Sequence, residues 1–206
     1  MSRVDLLVPF ADKDEAKRLG ARWDAKTQLW FVPAGVDVAT FSRWLPPADT
    51  VNVRSPSFFI ATSNRQCWRC DRQTAVHGFI LPAGHETLYV GEAPGDDLWE
   101  TADEPSLISY IGYLPAAVAK TMQACTRHYR ISYSMVTHTF YWMNRCEHCS
   151  AKLGDHETFD EPGEGFLAFT LEDARRVSLT HVAEPFQASC GSYTIGVVMF
   201  EQMVLL

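Results

Sequence analysis

The chain opens on an apolar run, Leu6 to Phe10, followed by polar residues from Asp12 to Glu15, and this change predicts a short strand leading into a helix. Asp12 stands where an N-cap belongs, and Glu15 three positions later makes a capping-box-like pair. Gly20 ends that helix. Trp23 and the run Leu29 to Val32 then predict two strands joined by the polar stretch Asp24 to Gln28. Asp37 caps a second helix, where Val38, Phe41 and Leu45 share a face, and Pro46 and Pro47 end it because proline has no amide hydrogen to donate. A small module of residues 1–47 is the result, followed by a polar linker without periodicity at 48–57.

In the remainder, residues 58–206, β-prone segments approach two cysteine pairs: Phe58 to Ala61 before the first, Tyr133 to Trp142 before the second. Between them Pro115 suits the first turn of a helix running toward His128, with Val118, Met122, Cys125 and Tyr129 as its apolar stripe. Cys125 is thereby expected in the core, as is the isolated Cys190. Gly91 to Glu104 predicts an exposed acidic loop. Phe166 to Thr170, Val177 to Val182 and Tyr193 to Val198 predict further strands, and the apolar ending Met199 to Leu206 should pack, in the form of a last strand. The fold class is α+β: a small N-terminal β/α module, then a zinc-ribbon-containing, mainly antiparallel β domain with an inserted helix.

Composition adds exclusions. The 206 residues are 47% hydrophobic and 21% charged, an ordinary globular balance. No basic stretch followed by an apolar run opens the chain and no span of eighteen apolar residues occurs, so the expectation is a cytoplasmic protein without a membrane segment. The net charge of −7 is uneven: residues 1–50 carry seven basic and seven acidic side chains, the rest eleven and eighteen. That excess of acid argues against a large non-specific footprint on duplex DNA, which needs many Lys and Arg to neutralise phosphates.

The chemistry lies in Cys67-Trp68-Arg69-Cys70 and Cys146-Glu147-His148-Cys149. A C-x-x-C turn presents two thiolates together, and two such turns complete a tetrahedral S₄ shell suited to zinc. Cys67, Cys70, Cys146 and Cys149 are therefore the expected ligands of one structural Zn²⁺. A shell closed by four thiolates keeps no position for water, so the metal is a staple rather than a catalyst. The 76-residue separation of the inner cysteines exceeds that of compact zinc fingers, yet both pairs, with Ala151-Lys152-Leu153-Gly154-Asp155 after the second, resemble the halves of zinc ribbons in bacterial proteins. His148 is the alternative ligand and is expected outside the cage.

Val8-Pro9-Phe10, Lys13, Ala16-Lys17, Leu19-Gly20-Ala21-Arg22-Trp23-Asp24, Trp30-Phe31-Val32-Pro33 and Trp44-Leu45-Pro46 resemble domain of unknown function 5710. That family is similar to the front segment of TraC-type plasmid primases and occurs in other mobile-element proteins. The resemblance implies a DNA-handling or mobile-element setting in bacteria and no activity of its own. Within the module Lys17, Arg22 and Lys26 are the candidate partner contacts, while Trp23, Trp30 and Trp44 are expected to be chiefly structural, because so small a module has little else for a core.

Other chemistry finds less support. Val90-Gly91-Glu92-Ala93-Pro94-Gly95 resembles a motif of iron–sulfur uracil-DNA glycosylases, but the later His-Pro-Ser segment of that family is missing. Neither cysteine pair follows a proline, as a zinc deaminase requires, and no zincin helix, nucleophile elbow or P-loop is present. The sequence therefore points to a non-enzymatic adaptor that binds protein or single-stranded nucleic acid, with an acidic immunity or inhibitor protein docking on a basic partner as the second reading, and a glycosylase-like enzyme as the third.

Overall fold

The computed structural model describes residues 4–25, 27–45, 51–93, 95–161, 164–197 and 199–206. The chain divides into two compact units, Met1–Ala48 with Ser132–Phe140, and Asp49–Ile131 with Tyr141–Leu206. Mainly antiparallel sheets with few helices make the fold class α+β, as the sequence implied.

In the first unit, strand β1 (Val4–Leu6) precedes helix α1 (Lys13–Arg18), and strands β2 (Arg22–Asp24) and β3 (Leu29–Val32) complete a sheet of order β1-β3-β2. The first strand ends earlier than the apolar run suggested, because Pro9 cannot donate to a ladder and the chain turns at Phe10–Asp12. Asp12 precedes α1, but its side chain does not cap it. Its Oδ2 instead accepts from the Trp44 indole nitrogen at 2.9 Å, while the Glu15 carboxylate accepts from Arg43 at 2.6 Å. Gly20 follows α1 at φ +104°, a left-handed conformation open to glycine. Asp37 does cap, accepting from the Ala39 amide at 3.0 Å, but the segment Val38–Trp44 is a kinked 3₁₀ helix rather than an α-helix. Leu6, Ala16, Val32, Phe41 and Trp44 form the core. Pro46, Pro47, Lys26 and the start of the expected linker lie outside the described residues.

The second unit is built on strands β4 (Val53–Ser55), β5 (Phe58–Gln66), β6 (Gln73–Leu81), β7 (Glu86–Tyr89), β8 (Leu98–Thr101) and β9 (Ser106–Tyr113). Helix α2 (Ala116–Cys125) follows, then β10 (Tyr129–Tyr133), β11 (Phe140–Arg145), β12 (Lys152–Leu153), helix α3 (Leu171–Arg175), β13 (Ser178–Val182), β14 (Phe186–Ile195) and β15 (Val204–Leu205). The main path runs β15-β13-β5-β6-β9-β14-β4-β7-β8, and β11 joins β9, β10 and β12. Val53–Ser55, in the stretch expected as linker, pairs with β14 and β7. Leu98–Thr101, inside the expected acidic loop, pairs with β7.

Two apolar clusters fill this unit. Phe58, Phe79, Ile108, Phe186 and the α2 residues Val118 and Met122 belong to one; Val76, Ile80, Leu107, Phe159, Phe166 and Leu179 belong to the other. Phe79 and Ile80 are adjacent in β6 and so project to opposite sides, each into a different core. At Gly78 an added Cβ would come within 2.8 Å of the Phe159 ring, so this strand admits only glycine if that ring is to stay where it stacks on Phe166.

Three local expectations are corrected. Cys125 is exposed, because α2 ends there and Thr126 is already extended, turning the stripe away from the core. Phe166 to Thr170 is not a strand: the Thr170 hydroxyl accepts from the Asp173 amide and the Asp173 carboxylate from the Thr170 amide, a capping box that commits the chain to α3. Tyr133 to Trp142 contains a turn between β10 and β11 rather than one continuous approach. Cys190 is buried, as expected.

Candidate metal centre

Each cysteine pair occupies the turn of a β-hairpin. Gln66 and Gln73 are register partners of β5 and β6, so Cys67 and Cys70 lie in the intervening turn. Arg145 and Lys152 are partners of β11 and β12, so Cys146 and Cys149 lie in the other. The two turns repeat one backbone design. The Cys67 amide donates to the Arg72 carbonyl at 3.0 Å and the Asp71 amide to the Cys67 carbonyl at 2.9 Å; Cys146 with Ala151, and Ser150 with Cys146, do the same at 2.9 Å. The residue after each second cysteine is left-handed, Asp71 at φ +56° and Ser150 at +58°.

The four sulfurs lie within 4.8 Å of one another. Cys67 faces Cys149 and Cys70 faces Cys146 at 3.7 Å each, too far for a disulfide. Four sulfurs about 2.3 Å from a central zinc stand about 3.8 Å apart along each tetrahedral edge, so this cage can hold a single metal ion. Cys67 and Cys146 are buried, with the other two partly so.

The thiols differ in their readiness to ionise. At Cys146 burial opposes the thiolate, but the amides of Cys149 and His148 and the sulfurs of Cys67 and Cys70 prevail and bring it down to about 6. At Cys70 the Arg72 amide favours the thiolate, yet burial and the three neighbouring sulfurs push it up to about 12. Four negative charges in this space repel one another unless a cation sits among them.

Side chains brace the turns against each other. The Trp68 indole donates to the Lys152 carbonyl at 2.8 Å, the Glu147 amide to the Thr74 hydroxyl at 3.0 Å, and the His148 ring nitrogen Nε2 lies 2.9 Å from the Gln73 carbonyl. His148 is thus turned away from the cage. Behind the turns, Asn144 bonds the backbone of His77 in both directions, joining β11 to β6. Burial first, then the nearby His128, lowers His77 to about 4, so its ring is neutral at pH 7.

Asp155 follows the second turn and is 1% exposed. One oxygen accepts from the Tyr110 amide at 2.7 Å, and Oδ1 has no hydrogen-bond partner among the described residues. Burial, opposed by that amide and assisted by Asp160, pushes the carboxyl up to about 8. The sequence reading includes Asp155 only within the run that follows the second cysteine pair and leaves out Asn144, for which an Asn near the end of an apolar strand, two residues before a cysteine, is the available signal.

Of the candidate partner contacts, Lys17 on α1 and Arg22 on β2 are exposed. The Ala21 amide bonds the Ala16 carbonyl at 3.0 Å, so these two side chains flank one turn. Trp44 is buried and Trp30 half-buried, both packed in the module, whereas Trp23 is half-exposed with its ring edge-on to Trp30 at 5.7 Å. In the glycosylase-like run Glu92 is exposed and Pro94 lies outside the described residues.

Comparison with known proteins agrees with the N-terminal resemblance. Residues 3–46 match a family described as domain of unknown function (DUF5710). The chain is 51% identical over 53 residues to a DNA primase TraC of Escherichia coli, an overlap of 26% of this chain and 5% of that protein. A second DNA primase TraC of Escherichia coli is 52% identical over 50 residues, 24% of this chain and 4% of the relative. The chain thus spans about a twentieth of the length of the curated relatives it matches. No solved structure matches it.

Proposed function

We propose that this protein is a non-enzymatic adaptor in nucleic-acid-processing or mobile-element machinery, in which a structural zinc ion held by Cys67, Cys70, Cys146 and Cys149 fixes the larger unit and the N-terminal module contacts the partner through Lys17, Arg22 and Lys26. The observation that carries it is the meeting of four sulfurs from two hairpin turns within 4.8 Å. Zinc suits this set because thiolates are soft ligands and a d¹⁰ ion accepts a tetrahedron without preference. A four-iron cluster interposes metal and sulfide between its cysteines and needs a wider cage, which disfavours the glycosylase-like alternative. A metal enclosed by four thiolates has no site for substrate, which favours binding over catalysis. The mobile-element setting rests on the 51% identity to a DNA primase over 53 residues. In a bacterial cytoplasm reducing conditions would keep the thiols available for metal.

A second reading, docking on a basic protein as an immunity or inhibitor protein does, is favoured by one stretch. No lysine or arginine occurs from Gln73 to Ala119, and within it the exposed Tyr89, Val90 and Leu98 adjoin Glu92, Asp96 and Asp97. Charge of one sign beside apolar surface suits steered association. Anisotropy with a labelled single-stranded oligonucleotide tests the first reading: salt-dependent binding weakened by Arg22→Ala supports contact through the module, and a 1:1 complex with a basic protein but no oligonucleotide supports the second.

A further inference from the structure

Cationic side chains concentrate around the metal centre of a chain whose net charge is −7. Six of the eleven Lys and Arg beyond residue 50, namely Arg69, Arg72, Arg127, Arg130, Arg145 and Lys152, lie on the cysteine turns or on the strands and turn beside them. The buried Arg145 and the exposed Lys152 are direct cross-strand partners, a like-charged placement that costs folding energy. The Arg145 amide bonds the His128 carbonyl at 2.8 Å, which extends the row to β10, and Arg127 donates to the His128 ring at 3.2 Å, so that imidazole is an uncharged acceptor. Glu147 and Asp71 are the acids on the turns themselves, both exposed.

Beside this row Trp68 is 63% exposed. Its indole nitrogen is fixed on the Lys152 carbonyl, so the ring is held by one edge and offers much of its surface to solvent. A rigid, exposed aromatic ring flanked by cations is the arrangement by which single-strand binders stack a base and hold its phosphates. A duplex offers no free base face to such a ring.

We infer that the face formed by Trp68, Arg69, Arg72 and Lys152 is a binding site for single-stranded nucleic acid, with a base on Trp68 and phosphates along the exposed cations. The site rests on the metal reading, since the two turns that present it are joined at the cage. Its residues are not those proposed as contacts of the N-terminal module.

The test uses the full chain carrying Lys17→Gln, Arg22→Gln and Lys26→Gln, with metal content measured before labelled oligothymidylate, oligouridylate and a duplex are titrated by anisotropy. Both single strands should bind better than the duplex, and their relative affinity tells DNA from RNA. Trp68→Ala should weaken binding at least about fivefold. Arg69→Gln and Lys152→Gln, which leave the Trp68 brace to the Lys152 backbone intact, should each lower the slope of log affinity against log salt by about 0.7. No binding by the metal-loaded protein, equal binding of the duplex, or indifference to all three substitutions overturns the proposal. Absence of metal in the purified chain contradicts the metal reading instead, and oligonucleotide binding by that same chain is judged by the same substitutions.

Discussion

Asn144 and His77 are joined by two hydrogen bonds of 2.8 Å, the side-chain oxygen accepting from the His77 amide and the side-chain nitrogen donating to the His77 carbonyl. Both residues are buried, and they lie on β11 and β6, the strands that enter and leave the two cysteine turns. One amide side chain therefore replaces a missing ladder contact and sets the spacing at which the sulfurs meet. Asn144→Ala leaves two backbone groups buried without partners, and should cost roughly 2–4 kcal/mol. Urea unfolding of the metal-loaded protein measures this, and the same variant should release metal faster to a chelator.

Asp155 gives the protein a pH dependence. Its carboxyl sits at about 8 in the folded chain against an ordinary 3.8, so the folded state keeps a proton that the unfolded chain has released. Its contribution is fully present below about pH 4, declines as pH rises toward 8, and is flat above. Asp155→Asn keeps an oxygen for the Tyr110 amide and removes the charge. Thermal or urea unfolding at pH 6 and pH 9 should show a smaller decline in the variant, and at pH 9 the variant should be more stable, on the order of a few kcal/mol. Equal declines would separate Asp155 from the effect.

The left-handed residue after each cysteine pair predicts opposite results for two substitutions at one position. Ser150 at φ +58° has its amide on the Cys146 carbonyl. Ser150→Gly should hold or raise stability, whereas Ser150→Val should lower it by about 1–2 kcal/mol, because a β-branched side chain resists this region. Melting temperatures with metal present report both.

The metal cage was legible because C-x-x-C pairs carry their meaning locally: the turn, the two sulfurs and the need for a second pair are all properties of a few residues. The N-terminal module was legible for a similar reason, in the Leu19 to Asp24 run and its tryptophans. The central strands Gln73–Leu81 and Ser106–Tyr113 were not. Both are covered on two sides, so Phe79 and Ile80 are apolar in succession and no period of two marks the strand. Cys125 was misplaced because the stripe Val118, Met122, Cys125 continues in sequence while the helix stops. Trp68 and Lys152 acquire their relationship only when hairpins 84 positions apart are brought together.

The central claim is that Cys67, Cys70, Cys146 and Cys149 close on one zinc ion that holds the larger unit together. Elemental analysis of the purified protein tests it most directly, with Cys67→Ser and Cys149→Ser alongside and circular dichroism followed during chelation. The account predicts about one equivalent of zinc per chain, its loss in both variants, and unfolding of the larger unit when a chelator removes it. Iron in place of zinc, full metal content in the serine variants, or an unchanged spectrum after the metal is stripped would contradict it.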